Sequence, residues 1–277
     1  MEKVQLFTLL LIGVTAFITN KGLKEFTFQD KFLFHVDKVF INKEYIRLIS
    51  SGFLHVDWKH FAFNMITLYL FGSNLEDSIG AFLFFLIYLI SLIGGNLFAL
   101  YIHKNHSDYT AVGASGAVSG IVFAAIGLSP SMEVGFIILP FKFPAWLYAI
   151  GYVLYSIYGI TSKRDNIGHE AHLGGAIIGL LTAIAIEPEV INTNFLTIAL
   201  ALIPTSIFLF LLIIKPHILL LNDPFKDAPK NITIDDKFNE IKVAKQEEID
   251  SILDKINQKG YKNLTQREKE RLDELSK

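Results

Sequence analysis

Two polar residues stand where apolar segments of this chain begin: Ser115, in Gly113-Ala114-Ser115-Gly116, and His172, in Ala171-His172-Leu173-Gly174-Gly175. A serine hydroxyl becomes a nucleophile when a neighbouring imidazole takes its proton, and such a pair attacks carbonyl carbon. Acyl transfer of this kind also needs hydrogen-bond donors for the oxyanion that develops. His60 and Asn64 are four residues apart, hence on one helical face, and both carry donors. The backbone N–H of Ser115, at a helix N-terminus, adds a donor at the positive end of a helix dipole.

The elements that must position these residues are membrane spans. About half the residues are apolar (52%) and 19% are charged. The apolar residues come in long blocks, which predicts an all-α, polytopic membrane bundle. With no cysteine, thiolate catalysis and Cys-ligated metals are excluded. A formal net charge of −2 gives no reason to expect nucleic acid as a partner. Seven segments read as spans: 4–19, 60–71, 79–102, 115–128, 144–160, 171–186 and 195–214. The first lacks a basic n-region and a clean cleavage site, so it reads as a retained span rather than a signal peptide.

The second and fourth segments are short for a bilayer and are expected to begin below its surface. Chain parity makes the second, fourth and sixth spans run the same way. His60, Asn64, Ser115 and His172 then fall in one layer, and polar groups at such depth usually face the bundle interior or a cavity. Gly116 and Gly120 are spaced by four, as are Gly175 and Gly179. Small residues at that spacing let two helix backbones come close, which would bring Ser115 and His172 within hydrogen-bond reach.

Other segments read less sharply. The loop over 20–59 is rich in Phe and Lys, and 31–40 is expected to lie in the membrane interface. His55 and Asp57 read as interfacial loop residues. His169, Glu170 and His172 resemble a metal cluster, but the two histidines are one residue short of the zinc-protease spacing, so no metal and no other cofactor is expected. Glu170 reads as a polar rim residue. Beyond residue 223 the chain is polar. Ile249, Ile252, Leu253 and Ile256, then a capping box at Thr265 and Glu268, predict a helical hairpin. Lys and Arg concentrate in the first loop, at Lys163-Arg164 and in the tail, which by the positive-inside rule puts these segments in the cytoplasm.

The Ser115 and His172 motifs, preceded by His55-Val56-Asp57-Trp58-Lys59-His60-Phe61-Ala62-Phe63-Asn64, resemble the rhomboid family of intramembrane serine proteases. The resemblance covers residues 44–187, with three separated motifs in order and on the expected spans. It implies a Ser115–His172 dyad with no carboxylate, and an oxyanion held by His60, Asn64 and the Ser115 amide. Gly113 belongs to the motif and permits the tight entry turn. Of the family's Trp-Arg pair in the first loop, only Arg47 is present, with Ile46 in place of the aromatic. Ser119 stands where many members carry an aromatic that packs on the histidine, a departure that predicts a looser His172.

The resemblance further implies a six-span protease core over 1–187, a seventh span with its flanks over 188–222, as in the six-plus-one variant, and an appended tail over 223–277. Its substrates would be transmembrane proteins, and its setting the lipid bilayer of a bacterial inner membrane. Family members usually place the first loop outside the cytoplasm, opposite to the charge count. The alternative is a catalytically silent rhomboid-like protein that binds membrane clients; such proteins typically lack the serine or the histidine, and this chain keeps both. A transporter would be favoured by inverted repeats, and the sequence has none.

Overall fold

The computed structural model describes residues 5–135, 142–162, 168–214 and 255. The protein is a helical membrane bundle. The chain divides into one unit over Met1–Asp227 and a second over Ala228–Lys277, in which Lys255 is helical. Lys163 and Arg164, and the expected tail hairpin apart from Lys255, lie outside the described residues.

All seven segments read from hydropathy are helical. They are α1 (Leu6–Lys24), α5 (Trp58–Ile79), α6 (Ala81–Ile102), α7 (Ser115–Leu128), α8 (Ala145–Ser162), α9 (His169–Ile186) and α11 (Phe195–Ile214). Among the described helices, α1, α6, α9 and α11 are long and apolar enough to cross a membrane, while α7 is a shorter apolar helix. α5 is the main departure from expectation. Hydropathy stops it near Phe71, yet it continues through Asn74, Glu76 and Asp77 to Gly80, whose positive φ of 83° ends it and opens α6.

Two of these polar residues reach the start of α1: Asp77 accepts the Gln5 side-chain amide at 2.8 Å, and Glu76 does more. Glu76 accepts the N–H groups of Phe7 (3.0 Å) and Thr8 (2.8 Å) and the Thr8 hydroxyl (2.7 Å). The first turn of a helix has N–H groups with no intrahelical partner, and here a carboxylate from another span supplies the acceptor.

α7 lies at the centre, with every residue from Gly116 to Gly127 buried. It packs against α5, α6, α8, α9 and α11. Lipid tails are as apolar as the side chains here, so the bundle depends on close packing and internal hydrogen bonds rather than on escape from water. At its far end Asn194, between α10 (Val190–Thr193) and α11, donates to the carbonyls of Gly127 (2.9 Å) and Leu128 (3.4 Å). These are terminal α7 carbonyls with no intrahelical donor, so the contact ties the seventh span to the central helix.

The first loop is folded into short elements. It forms α2 (Phe26–Phe32), β1 (Phe34–His35), α3 (Val36–Phe40), α4 (Arg47–Ser50) and a 3-10 turn (Ser51–Phe53). β1 pairs antiparallel with β2 (Thr110–Ala111), and Phe34, Val36, Val39 and Leu48 make a small core of their own. Arg47 is the staple. It is buried, donates from one guanidinium nitrogen to the carbonyls of Asp30 (2.7 Å) and Leu33 (2.8 Å), and pairs with Glu44 at 2.6 Å. That hydrogen bond holds the Glu44 carboxyl below the usual carboxylate range.

Candidate active site

The approach of α7 to α9 follows from their glycines. A Cβ on Gly175 would lie 2.1 Å from the Gly116 carbonyl oxygen, and one on Gly179 would lie 2.4 Å from both the Cα and the carbonyl oxygen of Gly120. Only hydrogen fits at these points, so the four glycines meet as two pairs, one turn apart. This contact carries His172 to Ser115: Nε2 of the imidazole lies 2.6 Å from the serine Oγ. For Nε2 to accept the serine proton, the ring's own hydrogen must sit on Nδ1.

Gly113 provides the second close approach. Its φ of 137° is one that side chains rarely adopt, and its bare Cα faces both His60 and Ser115. The point a Cβ would occupy lies 3.1 Å from His60 Nε2 and 3.5 Å from Ser115 Oγ. The Gly113 N–H donates to the Ser51 carbonyl (3.0 Å), and the Ser51 hydroxyl and the Leu48 carbonyl receive the buried Asn96 amide of α6. A chain of hydrogen bonds thus links the first loop, α6 and the turn that presents Ser115.

His60 and Asn64 are placed by α5, whose start is capped by Asp57. The Asp57 carboxylate accepts the His60 N–H at 2.7 Å. That bond, with a second from the Lys59 N–H, holds the Asp57 carboxyl below its ordinary value. One amide hydrogen of Asn64 returns to the His60 carbonyl (3.0 Å), which leaves the other for a ligand. His60, Asn64, Ser115 and His172 all line one cavity of about 1490 Å³ that also reaches α8 at Tyr148, Tyr152 and Tyr155.

Three placements bear on the sequence expectations. His55 is buried rather than interfacial. Its Nε2 accepts the Ala114 N–H at 3.4 Å, so Nδ1 carries the hydrogen and donates to Thr19 at 2.9 Å; Thr19 in turn donates to the Phe53 carbonyl. A histidine in the first loop therefore braces the residue before Ser115, a role that its spacing does not announce. Glu170 is half-buried, lines the same cavity and lies 3.6 Å from His103. Among the described residues, no three potential ligand side chains come together in a way that would hold a metal.

The third is His172, which has an aromatic ring beside it even with serine at position 119. Tyr152 of α8 stacks its ring on His172 at 6.2 Å and 25°. Tyr148, Tyr152 and Tyr155 recur at helical spacing, and that stripe was the available signal.

Fold and site together define a polytopic membrane protein with a serine–histidine pair set inside its helix bundle. The sequence model of the Rhomboid domain matches residues 42–188, and the chain belongs to that family. A family of unknown function (DUF6576) matches residues 232–277. Among relatives, "Rhomboid protein 1, mitochondrial" of Saccharomyces cerevisiae is 30% identical over 179 residues, 63% of this chain and 51% of the yeast protein. "Rhomboid protease AarA" of Providencia stuartii is 30% identical over 192 residues, 61% of this chain and 67% of its own. "Rhomboid protease GluP" of Bacillus subtilis is 31% identical over 147 residues, 52% and 26% respectively. The chain spans about half the length of the yeast relative.

Proposed function

We propose that the protein is an intramembrane serine endopeptidase that cuts peptide bonds in or near the transmembrane segments of other membrane proteins. The observation that carries this reading is the 2.6 Å contact between Ser115 Oγ and His172 Nε2 in a cavity shared with His60 and Asn64. The names of the Providencia and Bacillus relatives support it.

In this mechanism Ser115 Oγ attacks the scissile carbonyl carbon while its proton passes to His172 Nε2. The carbonyl oxygen becomes an oxyanion, stabilised by His60, Asn64 and the Ser115 N–H at the α7 N-terminus. His172 then gives the proton to the leaving nitrogen, the C–N bond breaks, and an acyl-enzyme remains. Water attacks the ester with His172 again as base; the acid product leaves and Ser115 regains its hydrogen. A client helix must unwind locally first, because intrahelical hydrogen bonds hide its carbonyls, and Gly or Pro near the cut lowers that cost.

The domain division that goes with this reading is a core over 1–187, a seventh span with its flanks over 188–222 and a tail over 223–277. Gly113, Gly116, Gly120, Gly175 and Gly179 serve turn and packing. The membrane that goes with this reading is the bacterial cell membrane, although the yeast relative and one Arabidopsis thaliana relative are mitochondrial by name.

The test is cleavage of a single-span substrate by protein reconstituted in lipid vesicles, alongside labelling by a serine-reactive fluorophosphonate. Wild type should cut and label, and folded Ser115→Ala and His172→Ala should do neither. Wild-type protein that neither cuts nor labels would move the reading to client binding.

A further inference from the structure

We propose that Tyr152, on α8, is a positioning residue that aligns the His172 imidazole with Ser115, and that Ser119 is its anchor. The proposal rests on the Ser115–His172 reading and deepens it.

An imidazole delivers Nε2 to a serine only if its ring plane is held. Among the described residues no carboxylate hydrogen-bonds to His172, whose polar contact is with Ser115. Ring packing must therefore set the plane. Tyr152 lies nearly parallel to the imidazole, with centroids 6.2 Å apart, and His169 meets it edge-on at 5.5 Å and 71°. Both distances fall within the range of productive aromatic contact.

Tyr152 is itself held. Its hydroxyl lies 2.5 Å from Ser119 Oγ, and Ser119 Oγ lies 2.6 Å from the Ser115 carbonyl oxygen. A serine hydroxyl has one hydrogen, and the carbonyl can only accept. Ser119 therefore donates to Ser115, and Tyr152 donates to Ser119. The direction of the chain is fixed: Tyr152 to Ser119 to the backbone of the nucleophile. One ring on α8 thus stacks on the base with its face and reaches the nucleophile's backbone carbonyl through the Ser119 hydroxyl.

The register of α8 against α9 supports the same geometry. Gly159 stands seven residues, two helical turns, beyond Tyr152 and so on the same face. A Cβ at Gly159 would lie 2.0 Å from His169 Nε2, so the bare glycine lets the His169 ring nest against α8. α8 supplies no reacting atom, yet the alignment of the base depends on where it sits.

The experiment uses the full-length protein in lipid vesicles. It measures the rate of fluorophosphonate labelling at Ser115 per folded molecule, and kcat and KM on a single-span substrate. Tyr152→Leu removes the ring and should slow labelling about a hundredfold, the loss typical of a misplacement of about 1 Å, with kcat falling and KM unchanged. Tyr152→Phe keeps the ring and should lose far less. Ser119→Ala removes the anchor and should match Tyr152→Phe, and the double variant should be no worse than either alone, because both break the same link. Tyr152→Leu labelling at the wild-type rate would overturn the proposal, as would additive losses in the double variant. Should Tyr152→Leu fail to fold, the Phe and Ala variants decide the matter by that additivity. Wild-type protein that does not label overturns the catalytic reading itself, an outcome distinct from equal labelling of wild type and variant.

Discussion

Replacing Gly175 by alanine tests whether the α7–α9 contact sets the dyad. The new Cβ would sit 2.1 Å from the Gly116 carbonyl oxygen and 2.8 Å from its carbon, both backbone atoms that cannot rotate away. Ordinary contact begins at about 3.4 Å, so the helices must part locally by about 1.3 Å at a cost of about 1–3 kcal/mol. Gly116 adjoins Ser115, and Gly175 is one turn from His172. A shift of that size along the line of the hydrogen bond would stretch 2.6 Å to about 3.9 Å, beyond hydrogen-bond range. Labelling of Ser115 by a fluorophosphonate should slow about a hundredfold, and thermal unfolding in detergent should begin earlier. Gly151→Ala on α8 is the control, because a Cβ there meets nothing within 4 Å. If Gly175→Ala labels at the wild-type rate with unchanged unfolding, the glycine contact does not control the pair and the reasoning fails.

Three further outcomes are expected. Glu76→Ala leaves the Phe7 and Thr8 N–H groups at the start of α1 without their acceptor, and should cost about 3 kcal/mol of stability; a loss under about 1 kcal/mol in unfolding experiments would show that water replaces the carboxylate. Asn194→Ala frees the last carbonyls of α7 at the end remote from Ser115, so it should lower the unfolding midpoint while leaving labelling per folded molecule unchanged; a fall in both would mean that the far end of α7 governs the site. Asp57 has its pKa lowered in the fold, so its cap is fully stabilising above the ordinary aspartate value of 3.8 and is lost as pH falls through the lower folded value. Asp57→Asn should keep the cap and abolish this acid-side loss, whereas Asp57→Ala should weaken α5 at every pH; identical acid profiles for wild type and Asp57→Asn would contradict the assignment.

The sequence carried the parts of this protein that depend on local pattern. α7 and α11 have the bounds that hydropathy gives them, because turn and polar residues such as Gly113, Ser129 and Asn194 flank mainly apolar runs. Ser115 and His172 were legible because glycine pairs at spacing four mark where two helices meet. α5 was cut short because Asn74, Glu76 and Asp77 look like a loop until Glu76 is seen to serve α1, some 70 residues away. The first loop hid its fold for the same reason: Arg47 reaches carbonyls 14 and 17 residues back, and β1 pairs with a strand beyond α6. Tyr152 was missed because its contact with His172 is set by how α8 leans on two other helices.

The length of α7 fixes a depth. Fourteen residues at about 1.5 Å each make a helix about 21 Å long, about 9 Å short of a typical hydrocarbon layer. If its far end is flush with one face, Ser115 stands about six helical residues below the other. The proposed enzyme would then find its cut by measuring down from a surface, as a depth gauge does, rather than by reading side chains in order. A thicker or thinner bilayer would move that mark along the same client, and for the proposed enzyme lipid composition would then help to determine which bond is cut.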